Sequence, residues 1–137
     1  VPVEVLEHTA EVGLRAQAGS LEGLLEELAV GLFRLITDPE CVQERRSWEV
    51  EVHADDLTAV VVEWLNELLF LHGRDGMLAR RCVVHQAGPQ GVRATVWGEP
   101  FDPQRHPRGI EVKSATYHQA QVEASPGSWS AVVYLDV

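Results

Sequence analysis

The sequence predicts an α+β fold, a two-layer sandwich with two helices packed on one face of a mainly antiparallel sheet. Two segments carry leucine and valine at helical spacing, and the stretches around them carry alternating apolar residues. The helices are separated by strands but do not follow the regular strand–helix–strand alternation that builds a parallel sheet. The chain has 137 residues, the length of one domain spanning 1–137.

The elements follow in order. Short strands are expected over 3–6 and 12–18. Ser20 is a helix N-cap, and Leu21, Leu24, Leu25, Leu28, Leu32, Leu35 and Ile36 form an apolar stripe behind it. Thr37-Asp38-Pro39 ends that helix, because proline disfavours helix in the residue before it. Trp48, Val50 and Val52 alternate with Glu49, Glu51 and His53, a half-buried strand. Asp55-Asp56 caps a second helix, whose stripe runs from Leu57 through Trp64 to Leu71 and which closes at Gly73 and Gly76. A hairpin covers 78–97 around Gly88-Pro89-Gln90-Gly91. Residues 101–109 are a loop, 110–123 a strand interrupted near Ser114, and Ser125-Pro126-Gly127 turns the chain into a last strand.

Composition narrows the function. The net charge of −10 is concentrated in residues 1–72, which hold 15 acidic and 4 basic residues; the remainder is nearly neutral. Such a surface disfavours direct binding to nucleic acid and suits a basic protein partner or simply solvated helix faces. No apolar run is long enough for a membrane span, and no signal-peptide pattern opens the sequence. Cys41 and Cys82 lack metal-ligand or redox spacing, which fits reduced thiols in the cytosol.

Phosphate loops, nucleophile elbows and zinc signatures are absent from the sequence, and its six histidines are scattered. One candidate lies where an apolar strand gives way to Asp136-Val137. If that strand neighbours the first, Glu11, Asp136 and the Val137 main chain or carboxylate would surround a hard cation with oxygen; otherwise they are exposed acids. Glu63 and Glu67 lie one turn apart on the second helix, either an acid–base pair or a solvated edge. Between them Asn66 interrupts an apolar stripe and needs hydrogen-bond partners if buried. Lys113, the single lysine beside 10 arginines, sits in a strand pattern and either pairs with Glu99 or with an acidic or phosphate partner, or is simply an outward-facing strand residue. His8, His106, Thr116, Tyr117 and His118 complete the polar candidates, Tyr117 and His118 pointing to opposite faces if their strand is regular.

Several of these stretches form a set. Leu6-Glu7-His8-Thr9-Ala10-Glu11-Val12-Gly13, Glu63-Trp64-Leu65-Asn66-Glu67-Leu68-Leu69, Gly98-Glu99, Val112-Lys113-Ser114-Ala115-Thr116-Tyr117-His118 and Asp136-Val137 occur in the order, and over the span, of the archease family, which the chain resembles. The resemblance implies a small cytoplasmic accessory protein, not an enzyme, that assists an RtcB-type RNA ligase in tRNA splicing. It would promote guanylylation of the ligase histidine and repeated turnover, meeting RNA and GTP only through the ligase. It also implies a divalent-metal site that maps onto Glu11, Asp136 and Val137; His8, Glu99, His106, Lys113, Thr116 and His118 are the candidates for orienting the partner or its nucleotide beside it. The family motif usually has Asp where this chain has Glu11, a side chain longer by about 1.5 Å. A flexible Ca2+ shell tolerates that better than octahedral Mg2+. The rival expectations are a metal-dependent phosphoester hydrolase using Glu11, Asp136 and His8, and a general chaperone or binding module.

Overall fold

A computed structural model describes Val3 and residues 10–137. The strand expected over 3–6, apart from Val3, and His8 lie outside the described residues. The remaining elements run β1 (Glu11–Ala18), α1 (Leu21–Ile36), a short 3-10 turn (Pro39–Cys41), β2 (Arg46–His53), α2 (Leu57–Asp75), β3 (Met77–Gly88), β4 (Gly91–Pro100), β5 (Ser114–Ser125) and β6 (Ser128–Asp136). The α+β class is as predicted, with two helices against antiparallel strands. The strands divide into two three-stranded sheets, ordered β1-β6-β5 and β2-β4-β3, and all their pairings are antiparallel.

Helix boundaries follow their caps. Ser20 accepts a hydrogen bond from the Gly23 N–H at 3.0 Å, and Asp56 accepts from Ala59 N–H at 2.8 Å. Gly76, in the left-handed conformation at φ 70°, ends α2 and donates its N–H to His72 O. The apolar stripes of both helices are buried, and one core runs beneath them into both sheets. Sheet faces contribute Trp48 and Val50 from β2, Ala94 and Val96 from β4, and Val133 and Leu135 from β6. Trp64 of α2 is fully buried and donates its indole N–H to Leu25 O of α1 at 2.9 Å, tying the helices together.

Two side chains from the helices bond to backbone at one outer edge of each sheet. Asn66 of α2 donates to Ala115 O at 3.1 Å and accepts from Ala115 N–H at 2.8 Å, occupying the outer edge of β5 as a neighbouring strand would. Glu26 of α1 accepts from Val84 N–H of the edge strand β3 at 2.8 Å. The helices therefore cover sheet edges as well as faces.

The strand expected over 110–123 begins only at Ser114. Before it, Gly109 and Ile110 donate their N–H groups to Ile36 O and Leu35 O at the end of α1, which commits that backbone to the helix terminus. Farther on, pairing with β6 lapses between Thr116 and Gln121, and Gln119 takes φ 57°. This bulge breaks the alternation expected of Tyr117 and His118, and both are exposed.

Candidate functional site

The two ends of the described chain meet at one corner of the first sheet. Glu11 opens β1 and is the direct cross-strand partner of Asp136, which is in turn the partner of Ser114 on β5. Directly opposed residues of antiparallel strands project to the same face, so Glu11, Asp136 and Ser114 form one row of oxygen-bearing side chains. That face is the outer one, since Leu135 and Ala115 beside them are buried in the core. Ser114 Oγ donates to Asp136 Oδ2 at 3.2 Å, and Asp136 O accepts from Lys113 N–H at 2.8 Å. Val137 N–H donates to Ala10 O at 3.1 Å, which fixes the main chain beyond Asp136 against the start of β1.

The next row is Gly13, Tyr134 and Thr116. A Cβ on Gly13 would stand 3.1 Å from the Tyr134 ring, so the glycine makes room for that ring beside the acidic row. Thr116 Oγ1 is shielded from solvent and has no hydrogen-bond partner among the described residues.

Every donor in the acidic corner is a hard oxygen, the donor type that Ca2+ and Mg2+ take. Among the described residues no three side chains of His, Cys, Asp or Glu gather for a metal. Any cation at this corner would rest on two carboxylates, with the Ser114 hydroxyl and main-chain oxygen completing its shell. Those residues fit a hard divalent ion and do not fit zinc.

The predicted residues separate into distinct groups. Glu11, Asp136, Val137 and Thr116 gather at the corner, and the exposed Lys113 lies one residue before Ser114. Lys113 is outside β5, and the pairing with Glu99 foreseen for it is replaced by another arrangement. Glu99 lies on β4, in the other sheet, only 1% exposed. It pairs with Arg105 and accepts from Gln43 N–H and from His106, with Arg45 Nε at 3.6 Å. Asp102 N–H donates to His106 Nδ1 at 2.8 Å, which leaves the ring proton on Nε2, facing Glu99 at 3.2 Å. This cluster anchors the loop after β4; Asp102 further accepts from Gln104 N–H and pairs with Arg105. Gly98 is small for a local reason, because a Cβ there would overlap Leu78 O.

Glu63 is not free to act with Glu67, since it accepts from the Tyr117 hydroxyl at 2.8 Å. That bond and the negative carboxylate push the Tyr117 phenol up to about 12. His118 stands exposed on the bulge. Sequence reasoning missed Ser114 and Tyr134 as members of the corner. Ser114 lay inside a recognised motif, and only the β5–β6 register reveals its alignment with Asp136.

A model of the archease protein family matches residues 4–137. The chain belongs to the archease family. An archease protein of Methanopyrus kandleri is 40% identical over 140 residues, covering all of both chains. One from Pyrococcus furiosus is 33% identical over 138 residues, covering 98% of this chain and 97% of that protein. The solution structure of Methanobacterium thermoautotrophicum protein 1598 superimposes with TM-score 0.76 at 27% identity, covering 96% of each chain. The fold is shared with a Thermotoga maritima archease described as a possible chaperone, at TM-score 0.69 and 18% identity, over 100% of this chain and 98% of that one. The archease match thus takes in both carboxylates of the corner and the Gly98-Glu99 pair. Among the described residues no helix is long and apolar enough to cross a membrane.

Proposed function

We propose that this archease-family chain is a non-catalytic, cytoplasmic accessory protein of an RtcB-type RNA ligase in tRNA splicing. It promotes guanylylation of the ligase's histidine and repeated turnover, and meets RNA and GTP through the ligase. The observation that carries this reading is the direct pairing of Glu11 with Asp136, flanked by Ser114. It gathers an oxygen cluster on an outer sheet face, where a partner's phosphate groups can approach.

Glu11, Asp136 and the Val137 main chain would hold a divalent cation, with Ca2+ favoured because its shell accommodates the longer Glu11. Bound there, the cation supplies positive charge for phosphate oxygens. Ser114 orients the Asp136 carboxylate through its hydroxyl, and the Lys113 main chain holds the same residue from the other side. The exposed Lys113 ammonium adds a point charge next to the row, suited to a phosphate. His118, exposed farther along β5, is a further contact for the ligase or its nucleotide, and Thr116 adjoins the acidic row with its hydroxyl shielded from solvent. Glu99 and His106, committed to their buried cluster, act by holding the loop.

A multiple-turnover ligation assay with the host ligase tests this. Wild type should stimulate product formation in the presence of Ca2+, and chelation should abolish the effect. Asp136→Ala and Glu11→Ala should each lose about tenfold or more of the stimulation, with Lys113→Ala intermediate. Absence of stimulation by wild type would refute the accessory role, and full stimulation by Asp136→Ala would refute the metal corner. Phosphoester turnover by the isolated protein would favour a hydrolase. Protection of unrelated clients without faster ligation would favour a chaperone.

A further inference from the structure

Away from the acidic corner, arginines from three separate elements line one cleft. Arg34 in the last turn of α1, Arg80 on β3 and Arg108 in the loop after β4 border a cavity of about 650 Å³ beside the 3-10 turn. Among the described residues none of the three forms an ion pair with a carboxylate. Arg80 Nη1 donates to Pro39 O at 2.9 Å, which holds its guanidinium at the rim. Asp38 and Glu40 also border the cleft. The Asp38 carboxylate is turned into its own turn, accepting from Glu40 N–H at 3.0 Å, and the Glu40 side chain is exposed. With three arginines against two acids the lining is net positive, in a chain whose total is −10.

Arg108 and Gly109 border both this cleft and a second one of about 390 Å³, which is lined further by Ile36, His72, Phe101, Ile110 and the exposed Glu111, so the positive excess belongs to the first cleft alone. Ile110 is 42% exposed, so an apolar side chain is left open to an occupant. The Arg108 guanidinium lies 4.6 Å over the Phe101 ring, and Arg108 lines both spaces. Their shared border is built on fixed backbone. Gly109 and Ile110 N–H donate to Ile36 O and Leu35 O at 2.8 and 2.7 Å, and Thr37 Oγ1 donates to Pro107 O at 2.8 Å. Gly109 must be glycine here, because a Cβ would overlap Leu35 O.

An arginine-lined space next to a smaller one that offers Ile36, Phe101 and Ile110, with Arg108 bordering both, suits a ligand with a phosphate at one end and a flat ring at the other. Guanidinium groups clasp phosphate oxygens bidentately, and their flat faces stack on nucleobases. We infer that the paired clefts bind a nucleoside phosphate directly, a contact of the chain's own beside those it makes through the ligase, with the phosphate held by Arg34 and Arg80 and the base placed against Arg108 and Ile110. Both volumes lie in the range of small-molecule sites, roughly 300–1,000 Å³.

Calorimetric titration of the full chain in EDTA tests the site without any metal bridging to the acidic corner, so its outcome is separate from that of the ligation assay. The probes are adenosine 5′-monophosphate, adenosine and inorganic phosphate. The nucleotide should saturate one site and bind at least about tenfold more tightly than phosphate, while adenosine should show no saturation. Arg34→Ala and Arg80→Ala should each weaken the nucleotide about tenfold. Arg93→Ala, on β4 and outside both clefts, should leave binding unchanged. A 5′-phosphorylated trinucleotide distinguishes the sources: tighter binding than the mononucleotide assigns a strand end, weaker binding a free nucleotide. Lack of saturation by the mononucleotide, equal affinity for inorganic phosphate, or wild-type binding by a folded Arg34→Ala/Arg80→Ala double variant would overturn the assignment. Circular dichroism and thermal melting establish folding for each variant.

Discussion

Glu99 stays ionised in the interior because the Arg105 guanidinium, the Gln43 N–H and the His106 N–H all point at its carboxylate. The Arg105 contact is the largest influence, and together these bonds outweigh desolvation and hold the carboxyl down to about 2 from its ordinary 4.5. In that pH interval the unfolded chain binds the proton and the folded chain does not. The stabilisation is therefore complete above about 4.5 and disappears as pH falls through about 2. Glu99→Ala should cost about 2–3 kcal/mol at neutral pH, because it leaves the buried His106 N–H unpaired and removes the acceptor that anchors Arg105, and urea midpoints should show the deficit shrinking as wild type is acidified through that interval. Tyr117 offers a second measurement at this scale. In a Tyr134→Phe background its ultraviolet titration should centre near about 12, and Glu63→Gln should bring it back toward the ordinary 10.0.

At the scale of elements, Asn66 links α2 to the edge of β5 and resolves an oddity of the sequence. An amide in an apolar helical stripe is costly unless its partners are supplied, and Ala115 supplies one donor and one acceptor. Asn66→Ala should destabilise the fold by about 2 kcal/mol, measured by urea unfolding, because it leaves two backbone groups of β5 unpaired. Hydrogen exchange at Ala115 should rise in that variant far more than at Leu135 on the neighbouring strand. Helix ends were legible from Ser20, Asp56 and Gly76, whose chemistry acts within a few residues of chain. The start of β5 was not legible. Apolar alternation continues through Ile110 and Val112, and long-range bonds to Ile36 and Leu35 decide that this stretch is not strand.

Across the whole molecule, the excess of acid in residues 1–72 creates a field suited to a basic partner. Association with the RNA ligase proposed as its partner should therefore slow markedly between about 50 and about 500 mM NaCl, measured by stopped-flow mixing, and a rate indifferent to salt would exclude electrostatic steering. The candidate corner was half legible. Glu11 and Asp136 were recognisable by residue type and by family resemblance, whereas Ser114 as their neighbour depends on the register of a third strand. The arginine clefts carried no signal in the sequence, since Arg34, Arg80 and Arg108 belong to unrelated segments. Local order was written in the sequence itself, because periodicity, capping and turn chemistry act over a few residues. The division into two sheets, the row shared by Glu11, Asp136 and Ser114, and the binding of Glu99 to arginine instead of Lys113 were settled by tertiary structure. Each depends on which distant backbone and side-chain groups satisfy one another once water is excluded, and spacing along the chain does not encode that choice.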